Sequence, residues 1–234
     1  MIPPPVVEEI EPGVFVVRDD LLLGGTKRCY ADNLIIGHRE VVYASPAYGG
    51  AQIAIAHAAR KQGSQATIFV AKRKTPHART LDAKRAGAKI VQVPHGYLSN
   101  VQSKAKAYCQ ATGATLLPFG LETPLAFQAI AKRAEQAAKI TGPLDEVWSV
   151  AGSGVLTRGL QQGIAAERFF AVRVGRDLRS ADSGKAQVID SGQPFEEDAK
   201  RPPPFPSCSN YDAKGWWPFV TRGRGRRLFW NVAR

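Results

Sequence analysis

The sequence predicts an α/β protein, three-layered and with right-handed crossovers. Three observations predict it. From about residue 40 onward, short β-branched runs alternate with longer Ala-rich amphipathic stretches. Apolar runs of that length between helices are what a buried parallel sheet requires. Glycines punctuate the joints, and a Thr-Pro pair opens the longest helical stretch.

Taken in order, Gly13 to Val17 (GVFVV) is an apolar run, and a Gly24-Gly25 turn precedes Lys27. Val41 to Ala44 reads as a strand, and Gly50 to Lys61 as a helix closed by Gly63. Gln65 to Ala71 is a strand, Thr80 to Arg85 a helix ending at Gly87, and Lys89 to Val93 another strand. Ser99 to Ala111 is helical and Ala114 to Pro118 a short strand. Thr123-Pro124 opens a helix running to about Ile140, because Thr caps well and Pro suits the first turn. Glu146 to Val150 is a strand, Val155 to Ile164 a helix, and Phe169 to Val174 a strand. Residues 180–210, rich in Ser, Asp, Gly and Pro, read as a long loop.

The 234 residues suffice for one large domain or two small ones. With 44% hydrophobic and 22% charged residues, the composition excludes disordered and collagen-like chains. No apolar run approaches the roughly 18–20 residues of a membrane span. The start, MIPPPVVEE, has neither a basic n-region nor an apolar h-region. Cys29, Cys109 and Cys208 lie far apart and in no metal-ligand spacing, so they read as reduced thiols. The expectation is a cytoplasmic protein with no disulfide and no metal site.

The charge is less ordinary. Thirty-two Lys and Arg against 20 Asp and Glu leave a formal net charge of +12. Such an excess concentrates anions: nucleic acid, phosphorylated ligands or acidic membranes. It is clustered: Lys72 to Lys89 holds seven basic residues and one Asp, and Thr221 to Arg234 holds five Arg and no acid. A solvated basic face with no specific partner explains such runs equally well. The neighbouring Trp216, Trp217, Phe229 and Trp230 suit base stacking in principle, but core or interface packing is the stronger expectation for them.

Three segments offer chemistry. In Gly24-Gly25-Thr26-Lys27 the backbone can turn sharply and aim one amine into a cavity. In Ala151-Gly152-Ser153-Gly154-Val155-Leu156-Thr157, a glycine turn joins a strand to a helix start. Backbone N–H groups and the helix dipole converge there on an anion. The turn matches neither a Walker A loop nor the G-x-G-x-x-G fingerprint, since position 157 is Thr. Ser45-Pro46-Ala47-Tyr48-Gly49-Gly50-Ala51-Gln52 repeats the strand, turn, helix arrangement. Near the C-terminus, Tyr211-Asp212-Ala213-Lys214-Gly215-Trp216 is a fourth piece.

The order RDDLLLGGTKR, SPAYGGAQIAIAHAARKQG, AGSGVLTRGL, YDAKGW resembles that of the fold-type II pyridoxal-phosphate enzymes. The resemblance runs from about Arg18 to the C-terminus and is nearest to the aminocyclopropane-carboxylate deaminase and D-cysteine desulfhydrase group. It implies pyridoxal 5'-phosphate as cofactor, a larger domain (1–44 and 120–234) and a smaller inserted one (45–119). It makes Lys27 the Schiff-base lysine. It gives the cofactor phosphate to Gly152, Ser153, Gly154, Val155, Leu156 and Thr157. Ser45, Tyr48, Gly49, Gly50 and Gln52 fall on the turn that lies against the ring and its 3-hydroxyl, where the family commonly has Asn and this chain has Tyr48. Tyr211 and Asp212 fall on the pair whose acid meets the ring nitrogen. A homodimer is also implied.

On this reading a carboxylate at Asp212 keeps the ring protonated and strengthens its electron withdrawal. Lys27 is then the default general base and Tyr211 a proton donor or acceptor. The competing reading makes Asp212 a helix N-terminal acid and Tyr211 a core aromatic. The expected activity is a lyase working at the α-carbon of an amino acid: decarboxylation, deamination or elimination. The substrate is either a free amino acid or, as in phage-type relatives, one attached to thymine in DNA. A non-catalytic basic α/β protein that binds nucleic acid is the alternative.

Overall fold

A computed structural model describes residues 2–94 and 97–234. The chain opens with β1 (Val7–Glu11) and β2 (Val14–Arg18), two single turns of 3-10 helix (Asp19–Leu21 and Gly25–Lys27), and α1 (Arg28–Ile35). There follow β3 (Glu40–Ala44), α2 (Ala51–Gln62), β4 (Gln65–Ala71), α3 (Ala78–Arg85), β5 (Lys89–Val93), α4 (Leu98–Thr112) and β6 (Thr115–Leu116). The last third holds α5 (Pro124–Thr141), β7 (Leu144–Ala151), α6 (Val155–Gly163), β8 (Ala166–Arg173), α7 (Ser180–Ser183), β9 (Gln187–Asp190), α8 (Ala213–Arg222) and β10 (Arg227–Asn231).

These elements form two compact units. One comprises Met1–Cys29 with Thr123–Arg234, and the other Tyr30–Glu122. The first boundary therefore falls before β3, not after residue 44. β3 pairs in parallel with β4 and β6, so its hydrogen bonds commit it to the smaller sheet.

The larger unit holds a six-stranded sheet in the order β1-β2-β10-β7-β8-β9, parallel except for the β1–β2 hairpin. Its core stacks Trp148 on Phe170 and gathers Val16, Val150, Phe219 and Phe229 around them. Fully burying one such side chain contributes about 1.5–3 kcal/mol. The smaller unit is a four-stranded, wholly parallel sheet in the order β5-β4-β3-β6. Its helix α2 is Ala-rich, with Ala54, Ile55 and Ala58 fully buried, and ends at Gly63 in the left-handed conformation.

The arginine-rich tail is the largest departure from expectation. Leu228, Phe229 and Trp230 are fully buried in β10, which pairs with β2 on one side and β7 on the other. Three apolar residues among arginines are too few to announce a strand, and their partners lie far away in sequence. Phe229 and Trp230 are therefore core, and Trp216 packs against the same cluster. Trp217 stays partly exposed beneath the Arg201 guanidinium, 3.9 Å from its ring centroid. The supposed loop at 180–210 contains α7 and β9, and the strand expected at 114–118 shrinks to Thr115–Leu116. Among the described residues no helix is long and apolar enough to cross a membrane.

Candidate active site

Lys27 closes the 3-10 turn Gly25–Lys27, whose shape is set by two left-handed glycines, Gly24 (φ 90°) and Gly25 (φ 68°). A side chain at Gly25 would stand 2.3 Å from the Val232 carbonyl, so only glycine lets the turn approach the end of β10. The Thr26 amide donates to that carbonyl at 3.1 Å. Beneath the turn, the buried Asp19 carboxylate accepts from Thr26 Oγ1 (2.6 Å) and Trp230 Nε1 (3.2 Å). It also accepts both Nη2 (2.6 Å) and Nε (2.9 Å) of the buried Arg133 on α5. A charge so deeply placed persists only when paired and hydrogen-bonded. The same carboxylate and the burial of Cys29, two residues past the lysine, raise that thiol to about 12, burial being the larger cause.

The glycine loop after β7 forms the second piece. Gly154 caps α6 at φ 79°, and a side chain there would collide with the Asp182 carbonyl at 1.7 Å. The first helical bond runs from the Arg158 amide to the Gly154 carbonyl. The amides of Val155, Leu156 and Thr157 thus lie ahead of the ladder, as donors for an anion. Thr157 contributes no hydroxyl to this cradle. Its Oγ1 is buried against Ser149 Oγ at 2.8 Å, because it sits in the first turn of the helix on the face toward the sheet.

Outside the loop, Arg176 Nε donates to the Gly152 carbonyl at 3.0 Å and its Nη2 meets Asp182 at 3.0 Å. Asp182 in turn accepts the backbone amide and guanidinium of Arg179 at the start of α7. These bonds hold its carboxyl down at about 2, with the Arg179 guanidinium the principal cause.

Tyr211 and Asp212 join the two pieces. Tyr211 lies against Gly152, whose missing side chain would stand 3.4 Å from the phenol oxygen, and its hydroxyl donates to the Val150 carbonyl at 3.2 Å. Burial, reinforced by Asp212, raises the phenol far above its ordinary value, so Tyr211 is a neutral donor and not a base. Asp212 is fully buried at the N-cap of α8 but makes no side-chain cap bond. Its Oδ2 accepts the Ala233 amide at 3.2 Å. Val232 therefore holds the lysine turn and Ala233 holds Asp212, one residue apart. Lys214, buried on the same helix, donates to the Pro194 carbonyl, and desolvation lowers its ammonium. With Asn210 Nδ2 on the Phe195 carbonyl (3.2 Å), it pins residues 194–195 beside Tyr211.

Lys27, Gly152–Thr157, Tyr211 and Asp212 all belong to the larger unit. Their chemistry fits pyridoxal phosphate. The loop, where Gly154 leaves no room for a side chain, offers the first amides of α6 as donors for an anion, the amine ends a turn set by two glycines, and a buried carboxylate suits a ring nitrogen. Of the residues that set the lysine turn, Asp19 and Arg133 have no role in the sequence reading, and Trp230 enters it only as a packing aromatic. The adjacent Asp19-Asp20 before the glycines was the one local hint.

The turn at 45–52 belongs to the smaller unit. Ser45 is buried and bonds the Pro46 carbonyl (2.8 Å). Gln52 is fully buried, with Nε2 on the carbonyls of Ala47 (3.1 Å) and Gly49 (3.0 Å). Both side chains shape the turn from within. A side chain at Gly49 would stand 2.9 Å from Ser45 Oγ, and one at Gly50 would stand 2.8 Å from an Arg79 guanidinium nitrogen. Tyr48 packs on His77 and accepts a hydrogen bond from Arg73 at 3.2 Å.

No protein-family model and no curated protein matches the sequence. Solved structures do match the fold. An ACC deaminase homologue aligns with a TM-score of 0.78 at 17% identity, over 94% of this chain and 84% of that one. The processed form of threonine deaminase isoform 2 from Solanum lycopersicum gives 0.75 at 12%, over 98% and 78%. Maize serine racemase gives 0.73 at 13%, over 98% and 87%. The chain has the fold of the fold-type II pyridoxal-phosphate enzymes that its sequence resembles.

Proposed function

We propose that this chain is a pyridoxal 5'-phosphate-dependent enzyme acting at the α-carbon of an amino acid, with Lys27 as the attachment point of the cofactor. The observation that carries the reading is the bridge made by Val232 and Ala233, whose backbone groups bond the lysine turn and Asp212 respectively. The structural neighbours named above are deaminases and a racemase of amino acids, which favours the same class.

When bound, the cofactor's conjugated ring withdraws electrons from the substrate α-carbon. The chain's own residues do the rest. The amides at the start of α6, opened by Gly152, Ser153 and Gly154, hold the phosphate. Asp212 holds a proton on the ring nitrogen, which strengthens the withdrawal. Lys27 Nζ takes or returns the proton at the α-carbon. Tyr211, neutral and donating, orients the loop that carries the phosphate. For Ser45, Tyr48, Gly49, Gly50 and Gln52 the resemblance supplies a role beside the ring. It also supplies a homodimer.

A carboxylate at the ring nitrogen favours deprotonation at the α-carbon or decarboxylation over mild β-elimination. The basic segment at Lys72 to Lys89 favours a substrate carried on a polyanion, such as an amino acid on thymine in DNA, over a free amino acid.

The test is uptake of pyridoxal phosphate by the purified chain, followed by borohydride reduction and peptide mapping. A pyridoxyl adduct on Lys27 that is absent from Lys27→Ala is the expected result. A colourless protein with no adduct, or one on another lysine, overturns the reading and leaves a non-catalytic basic α/β protein.

A further inference from the structure

The smaller unit carries a cationic cluster to which the proposed function gives no binding site of its own, although it borders Tyr48 and Gly50 of the ring-side turn. Its parallel strands β3 and β4 are neighbours, and both deliver their loops at the same carboxyl edge. In open parallel sheets that edge is where ligands bind. The turn after β3 presents Tyr48, and the loop after β4 presents Lys72, Arg73, Lys74 and His77.

The side chains converge. The Arg73 guanidinium lies 4.7 Å from the Tyr48 ring centroid and donates to its hydroxyl. The Tyr48 and His77 rings are 4.5 Å apart, tilted by 57°. Arg79, in the first turn of α3, brings its guanidinium onto Gly50, where any side chain would displace it. Arg73 and His77 also line a small pocket with Ala47, Val70 and Thr80. Gln52, buried beneath, ties Ala47 and Gly49 so that the turn keeps its shape.

Three of the charges meet no acid. Lys72, Arg73 and Lys74 are exposed and pair with no carboxylate among the described residues. The single acid of the stretch, Asp82, is taken by Arg85 at 2.5 Å. Three consecutive cations with no paired carboxylate repel one another, an arrangement that an anion relieves. Arg guanidinium forks match phosphate geometry, and a cation already seated over an aromatic ring keeps its remaining N–H donors directed outward.

We propose that this edge of the smaller sheet is a phosphate-binding site, in which Arg73 and Arg79 clasp a phosphoryl group against the Tyr48–His77 face. The shared chemistry is a phosphoryl oxygen. Its source is either a small phosphorylated molecule or a phosphodiester strand. The assignment uses residues of the smaller unit alone and does not depend on Lys27.

The experiment uses the full chain, saturated with pyridoxal phosphate and gel-filtered so that the glycine cradle is filled. Inorganic phosphate and a short oligothymidylate are titrated at several salt concentrations, for the wild type, for Arg73→Gln with Arg79→Gln, and for Arg222→Gln with Arg234→Gln. The second pair removes the same charge from exposed arginines elsewhere.

The expected result is at least roughly tenfold weaker binding in the first pair only, with the salt slope for the strand falling by about 1.4, or 0.7 per lost contact. Phosphate binding without strand binding assigns a small ligand. Tighter strand binding with a steep salt slope assigns a phosphodiester. Equal losses in both pairs, or no binding of either probe, overturn the site. Circular dichroism checks that each pair is folded. If Arg79→Gln unfolds the chain, Arg73→Gln alone carries the test.

Discussion

The Val232 carbonyl accepts the Thr26 amide at 3.1 Å, and this bond fastens the turn that ends in Lys27 to the residue directly after the central strand β10. The approach is possible because Gly25 has no side chain. A β-carbon there would stand 2.3 Å from the same carbonyl and 3.0 Å from Ala233 Cβ. The C-terminal residues thus set the position of the turn that carries Lys27.

Gly25→Ala tests this attachment. Its left-handed φ alone costs roughly 1–2 kcal/mol for a residue with a β-carbon, and the clash with backbone adds to it. The expected outcome is a folded but less stable protein, by about 2 kcal/mol or more in urea titration, with little pyridoxyl adduct on Lys27. A variant as stable as the wild type, with full labelling, would show that the turn does not depend on β10.

The Arg133–Asp19 pair makes a sharper energetic prediction. Arg133→Leu strands a buried carboxylate, which costs about 3–5 kcal/mol. The double substitution Arg133→Leu with Asp19→Leu leaves no uncompensated charge and costs less than the two single losses added together. A double-mutant cycle in urea measures the difference. Additive losses would mean that the pair contributes nothing beyond its separate packing.

How much of this was legible in the sequence differs from residue to residue. β4 and β5 were read with their observed bounds, because Gln65–Ala71 and Lys89–Val93 are apolar runs flanked by polar residues and glycine. The start of α5 was set by Thr123, whose hydroxyl accepts the Ala126 amide at 3.1 Å, and by Pro124 behind it. Local chemistry decides such features, so a local reading finds them. β10 is the opposite case: Phe229 and Trp230 are core only because β2 and β7, from distant parts of the chain, flank them. The site divides in the same way. Lys27 and Gly154 announce themselves through neighbouring glycines, whereas Asp19 matters through Arg133, 114 positions away. Thr157 was legible as a helix-start residue, but its inward turn onto Ser149 is a packing outcome.

The glycine loop offers a paired test. Gly152→Ala meets Tyr211 at 3.4 Å and the Val174 carbonyl at 3.6 Å, ordinary contacts, and the fold should lose well under about 1 kcal/mol. Gly154→Ala meets the Asp182 carbonyl at 1.7 Å and carries the left-handed cost of roughly 1–2 kcal/mol besides. Both should weaken pyridoxal-phosphate binding, Gly154→Ala the more. Fluorescence titration gives the affinity and urea gives the stability. Undiminished affinity in Gly154→Ala would rule the loop out as the phosphate cradle.

Asp182 links that loop to pH. Its carboxyl is held at about 2, first by the Arg179 guanidinium, then by the Arg179 amide and by Arg176. The unfolded chain titrates the same group near 3.9, as a free aspartate does. A native value below the unfolded one means that the carboxylate stabilises the fold fully above about pH 4, and that this contribution fades as pH falls toward 2. Asp182→Asn should therefore lower stability at pH 6, where the native carboxylate is ionised, by about 1–2 kcal/mol, the usual effect of losing a helix N-terminal acid with its bonds. Between pH 4 and pH 2.5 the gap between variant and wild type should narrow steadily. Because Asp182 also presses its carbonyl on Gly154, the variant should release pyridoxal phosphate faster at pH 6, and the wild type should approach that rate on acidification. Urea midpoints for both proteins across this range are the measurement, and a gap that stays constant with pH would mean that Asp182 acts through shape alone.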